Sequence, residues 1–171
     1  MKKILFVCFS SIIVIITGCD TTIETDTRHY HIRFTNTSNY DTYIRCGLKH
    51  PDTSLATMQE VTVPAWHLKT EAHSTNYDAL TYRTTYESIF RTHDTLMVFV
   101  FNADTVESYD WEQVQNNYMI AQRYDLALND LYQLNWQLTF PPSKEMRNIK
   151  MWPPYGTYDA NGHKLENYTE Y

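Results

Sequence analysis

Asp94-Thr95-Leu96-Met97-Val98-Phe99-Val100-Phe101-Asn102 carries an apolar run, Leu96 to Phe101, with no polar break. The run is too short for a buried helix and rich in β-branched and aromatic side chains. It therefore reads as a strand covered on both faces, which belongs at the centre of a sheet. Downstream, Ser108 is placed to cap a helix over residues 109–118, with Trp111, Val114 and Tyr118 on one face. Residues 119–126 form a further strand candidate. Leu128, Leu131 and Leu134 suit a short helix, although Ala127 is a poor N-cap. Trp136, Leu138 and Phe140 then alternate along a last strand that ends at Pro141-Pro142.

Upstream, Tyr30, Ile32 and Phe34 alternate with His29, His31, Arg33 and Thr35, the period of a half-buried strand. Turn residues 36–41 separate it from a second alternating stretch, residues 42–48, and the pair reads as a hairpin. Pro51-Asp52-Thr53-Ser54 marks another turn. Val61 to Leu68 is a strand candidate weakened by Pro64. Residues 69–92 are polar and aperiodic, apart from a helical turn near Tyr86 to Phe90. In the tail, Asn161-Gly162 predicts a type I′ turn, and Pro153-Pro154 an extended segment flanked by Trp152 and Tyr155. The expected fold is mainly β, an antiparallel β-sandwich with two short helices. The alternative is an α+β arrangement around one antiparallel sheet.

The chain opens with Lys2 and Lys3, an apolar run from Ile4 to Ile16, and Thr17-Gly18-Cys19. Basic residues, an apolar core and small residues before a cysteine follow the layout of a bacterial secretory signal and resemble a lipoprotein signal peptide. At about 1.5 Å per residue the run reaches roughly 20 Å, short of a hydrocarbon core of about 30 Å, so a retained span is the poorer reading. Residues 1–18 are thus expected to be removed as a signal peptide and Cys19 lipidated. Residues 19–28 then form a polar tether, and residues 29–171 one β-rich domain with an aromatic segment from 143. The expected address is the cell envelope, on the periplasmic or surface side of an outer membrane.

The chain has 14 Lys and Arg against 20 Asp and Glu, and loss of Lys2 and Lys3 makes the remainder more acidic. That balance argues against nucleic acid as a partner. Cys46 is the one cysteine left after Cys8 departs and Cys19 is acylated, so no internal disulfide is expected. It shares a strand face with Ile44 and Leu48, which favours packing over reactivity. No GxGxxG, GxxxxGK[ST] or GxSxG motif occurs, and no cofactor is expected.

Several of these stretches together resemble a group of short lipoproteins of gut Bacteroidota. They are the signal, Leu96 to Val106 with its Asp-Thr pairs, Tyr124-Asp125-Leu126 through Leu131 to Leu134-Asn135-Trp136, and Pro141-Pro142 through Met146 to Lys150-Met151-Trp152-Pro153-Pro154-Tyr155-Gly156. The resemblance covers roughly the C-terminal half and the signal. That group has no assigned activity, so the resemblance implies an address and transfers no functional residue.

The candidate chemistry comes from residue types. Trp66, Trp152, Tyr155 and Tyr158 suit stacking on sugar rings, against the competing reading that the tail clasps its own domain. Asp94-Thr95-Leu96 and Asp104-Thr105-Val106 resemble Bacteroidota O-glycosylation sites at Thr95 and Thr105, expected in loops at the two ends of the central strand. His29 and His31 share a strand face at roughly 7 Å and are weak metal candidates, since no dense ligand spacing surrounds them. Glu107, Asp110, Glu112 and Asp125 could supply a hydrolytic carboxylate pair, although Asp110 and Glu112 equally suit the first turn of a helix. The reading that results is a non-catalytic binding or scaffolding module, with another envelope protein or a glycan as partner. The alternative is a small envelope hydrolase acting on glycan or peptidoglycan.

Overall fold

The computed structural model describes residues 28–62 and 68–166. The expected signal with Cys19, nearly all of the expected tether, and Pro64, Trp66 and His67 lie outside them. In chain order the elements are β1 (His31–Asn36), β2 (Thr42–Gly47), β3 (Lys69–Thr70), β4 (Ser74–Thr81), α1 (Tyr86–Ile89), β5 (Leu96–Asn102), α2 (Ala103–Ser108), α3 (Trp111–Asn116), β6 (Gln122–Leu126), α4 (Leu128–Gln133), β7 (Gln137–Phe140) and β8 (Lys150–Trp152). The fold is mainly β, with short helices between strands. One sheet runs β4-β1-β7 and the other β3-β2-β5-β6-β8.

β5 is the centre of the larger sheet, paired antiparallel with β2 and β6. Its alternation serves two cores. Leu96, Val98 and Val100 meet Ile32 and Phe34 of β1 and Leu138 and Phe140 of β7 between the sheets. Met97, Phe99 and Phe101 face the other way, onto Leu55, Val61, Val106 and Val114. A strand buried on both faces needs an apolar side chain at every position, which the run from Leu96 to Phe101 provides.

The expected hairpin between the first two strands does not form. β1 pairs with β4 and β7 in the smaller sheet, and β2 pairs with β3 and β5 in the larger. The intervening residues carry the chain across the sandwich, held by the buried Asn36 amide. Its Nδ2 donates to the carbonyls of Tyr40 (2.7 Å), Thr70 (3.2 Å) and Glu71 (3.2 Å). Its Oδ1 accepts from Ser38 N (3.0 Å) and Ser38 Oγ (2.7 Å). Turn-forming composition therefore marked the reversal correctly and misjudged which sheet the chain enters.

The β1–β7 pair is parallel, so the sandwich is not wholly antiparallel. β4 was hidden because only Ala79 and Leu80 of its eight residues are buried, leaving no period to read. α2 occupies residues expected as loop, with Asn102 Oδ1 accepting from Thr105 N at 3.3 Å. The next helix starts at Trp111 behind Asp110, not after Ser108. α4 forms over the expected residues, and Asp130 Oδ2 accepts from Ala127 N at 2.8 Å, supplying what the Ala127 side chain lacks.

The tail packs back on the crossover. Asn39 N donates to Asn161 O (3.0 Å) and Tyr40 Oη to Gly162 O (3.1 Å). Gly162 has φ +84°, and a Cβ there would stand 2.6 Å from Ser38 Cβ, so both conformation and space require glycine. Asn161 is not in the left-handed region, and Gly162 N donates to Asp159 O, so the turn is not type I′. After Pro154 the chain closes a turn in place of an extended run, with Thr157 donating to Pro154 O from N (3.2 Å) and Oγ1 (2.7 Å).

Candidate functional site

β6 and β8 present an exposed aromatic ledge. Their register sets Arg123 opposite Trp152 and Asp125 opposite Lys150. Trp152 is 37% exposed, and its ring meets Tyr118 edge-on with centroids 5.4 Å apart. Tyr118 Oη accepts from Arg123 Nη1 at 2.7 Å. Arg123 in turn grips Asp125 with two bonds, Nε to Oδ1 (2.8 Å) and Nη2 to Oδ2 (3.2 Å). Asp125 is buried and Arg123 nearly so, so a paired charge fixes the support beneath an exposed indole.

The other aromatic candidates divide. Tyr155 is half-buried with the Arg147 guanidinium 5.5 Å from its ring centroid. Tyr158 belongs to the clasp: its hydroxyl donates to Ala121 O at 2.6 Å and its ring packs edge-on against Phe140. Burial holds its phenol above the ordinary tyrosine range. Trp66 lies outside the described residues.

The four candidate carboxylates serve separate local roles. Glu107 takes Lys69 Nζ (2.9 Å) and the Tyr43 hydroxyl (3.0 Å), and these hydrogen bonds hold its carboxyl below the usual range. Asp110 precedes α3 and Glu112 sits in its first turn. Asp125 is committed to Arg123.

His29 and His31 point into separate bonds. His29 stacks on Trp136 at 3.9 Å, and its Nδ1 lies 2.6 Å from Glu87 Oε1. Burial works to raise the Glu87 carboxyl, but bonds from the His29 ring and main chain outweigh it and leave the group below its usual range. His31 Nδ1 meets Thr81 Oγ1 at 2.8 Å. Among the described residues no group of three or more His, Cys, Asp or Glu is placed to hold a metal ion. Thr95 is half-buried in the approach to β5, beside His93 and Asp94 in a small cavity. Thr105 is half-buried within α2, a helix and not the expected loop.

A further constellation was not singled out from sequence. Two cavities, of about 330 and 370 Å³, share Arg45, Cys46 and Tyr82 on the edge of β2. Burial pushes the Cys46 thiol up to about 12, against the lowering influence of Tyr82 and Arg45, so it stays protonated at neutral pH. Register aligns Arg45, Phe99, Arg123 and Trp152 in one row across the sheet. At about 4.8 Å per strand the two ends of that row are roughly 14 Å apart. The cavity and the ledge thus occupy opposite edges.

Among the described residues no helix is long and apolar enough to cross a membrane. Compared with known proteins, the chain is matched by no family model, no curated protein and no solved structure.

Proposed function

We propose that this protein is a lipid-anchored binding module of a bacterial cell envelope, non-catalytic, with a glycan as its ligand. Acylation of Cys19 is the proposed anchor. The signal pattern supports it, with Ile16-Thr17-Gly18 before Cys19 and an apolar run too short to span. Two or more acyl chains give stable membrane attachment where one gives marginal binding.

One observation carries the ligand reading: Trp152 is exposed yet held by Tyr118, Arg123 and Asp125. A pre-positioned indole loses little freedom when an apolar sugar face stacks on it. The rival hydrolase reading needs two carboxylates converging in a cleft, about 5.5 to 9.5 Å apart, with one of them shifted upward. Glu107, Asp110, Glu112 and Asp125 each serve a separate local partner or helix end, and hydrogen bonds from Lys69 and Tyr43 hold the Glu107 carboxyl below its usual range, not above it.

Two measurements test the parts separately. Cells grown with labelled palmitate should incorporate label into the wild-type chain and not into the Cys19→Ser variant; equal labelling removes the anchor. In affinity electrophoresis through neutral polysaccharide gels, at least one polysaccharide should retard the full chain. Trp152→Ala should weaken that retardation about tenfold, equivalent to about 1.4 kcal/mol. No retardation by any polysaccharide, or equal retardation of the variant, removes the glycan reading and moves the ledge to a protein partner.

A further inference from the structure

We infer that the cavity beside Arg45 is a binding site for a small monocarboxylate with an apolar body. It lies on the opposite sheet edge from Trp152 and does not depend on the glycan reading. Arg45 makes one hydrogen bond, from Nη2 to Glu60 O at 2.6 Å. Its Nε is buried with no partner, and no carboxylate of the described residues pairs with it. A half-buried cation is normally offset by an anion or a full set of acceptors. Arg123, two strands away in the same row of the sheet, has both. Arg45 has neither, and it forms part of the wall of a cavity large enough for a small molecule.

The cavity wall defines the rest of the ligand. Partly exposed Leu48 and Met58, with the buried Met97 and Phe99, make the wall apolar, while Lys49 and Thr57 hold each other at the rim (2.9 Å). A planar guanidinium prefers the planar carboxylate, which it can engage with parallel bonds. Lys49 and Asp52 line the same cavity and offset one another's charge, which leaves Arg45 as the single uncompensated charge of its wall. One uncompensated guanidinium and an apolar wall together select a single negative charge on an apolar frame.

The probe is phenylacetate, with phenylacetamide as its neutral, nearly isosteric control. The full chain has six methionines, of which Met58 and Met97 line the cavity. Labelled at the methionine methyls and assigned through Met58→Leu and Met97→Leu, it should show saturable shifts of those two signals with phenylacetate. The neutral amide should give none, and Arg45→Gln should bind the carboxylate about tenfold more weakly. Equal saturation by the amide, shifts that never saturate, or unchanged affinity in a folded Arg45→Gln variant would each overturn the site. If that variant fails to fold, the carboxylate–amide comparison on the wild-type chain still decides.

Discussion

Asn36→Asp is expected to destabilise the fold by about 4 kcal/mol or more at pH 7, and by markedly less near pH 4. The substitution barely alters shape, so the effect isolates the amide's hydrogen bonds. Nδ2 faces three carbonyl oxygens, those of Tyr40, Thr70 and Glu71, in a side chain 0% exposed. An oxygen in its place leaves those acceptors without their donor, at about 1–3 kcal/mol for each buried group, and sets a negative charge against them. The introduced carboxyl must therefore have a folded pKa above the unfolded value of about 3.9. A group raised on folding contributes most below its unfolded pKa and loses that contribution as pH rises through its folded pKa. The deficit relative to wild type should accordingly grow from about pH 4 upward. Urea unfolding of both chains at pH 4 and pH 7 measures it. An equal deficit at the two pH values would mean that the amide does not organise the crossover.

Phe99→Ala is expected to cost about 3–5 kcal/mol, the range for emptying a large buried aromatic position. Phe99 is fully buried in the central strand, and it packs in the outer core with Val61, Phe101 and Val114. Gly47 on β2 approaches it so closely that a Cβ there would stand 3.2 Å from Phe99 Cε2. The β2 backbone is therefore fitted against that side of the ring. Tyr77→Ala provides the contrast: that ring is 62% exposed, and its loss should change stability by about 0.5 kcal/mol or less. Comparable urea midpoints for the two variants would contradict the two-core arrangement.

These expectations show where sequence reading succeeded. Leu96 to Phe101 announced a strand buried on both sides because no polar residue interrupts it. α4 was legible from Leu128 and Leu131, and α1 from the short helical turn near Tyr86. The assignment of β1 and β2 to different sheets was not, because Asn36 to Asp41 have the same turn chemistry in a hairpin as in a crossover. What separates the two is the partner of Asn36, and Thr70 and Glu71 lie more than thirty residues downstream. Likewise, Trp152 stood out by residue type, but its support by Arg123 depends on a register that only pairing reveals. Arg45 had no local signal beyond being a cation between Ile44 and Cys46. Its significance comes from lacking the partners that Arg123 has, and sequence contains no record of a missing neighbour.

The parallel pairing of β1 with β7 has a consequence for how the chain reaches its native state. β1 is the middle strand of its sheet, and its second partner is made about a hundred residues later, so closing that contact carries a large loop entropy. An N-terminal portion of the chain that lacks β7, however long it waits, holds at most two of that sheet's three strands. The apolar faces of Ile32 and Phe34 then lack Leu138 and Phe140 as cover. Completion of the smaller sheet, and with it the cover over the inner core, thus waits for the last part of the chain to be made.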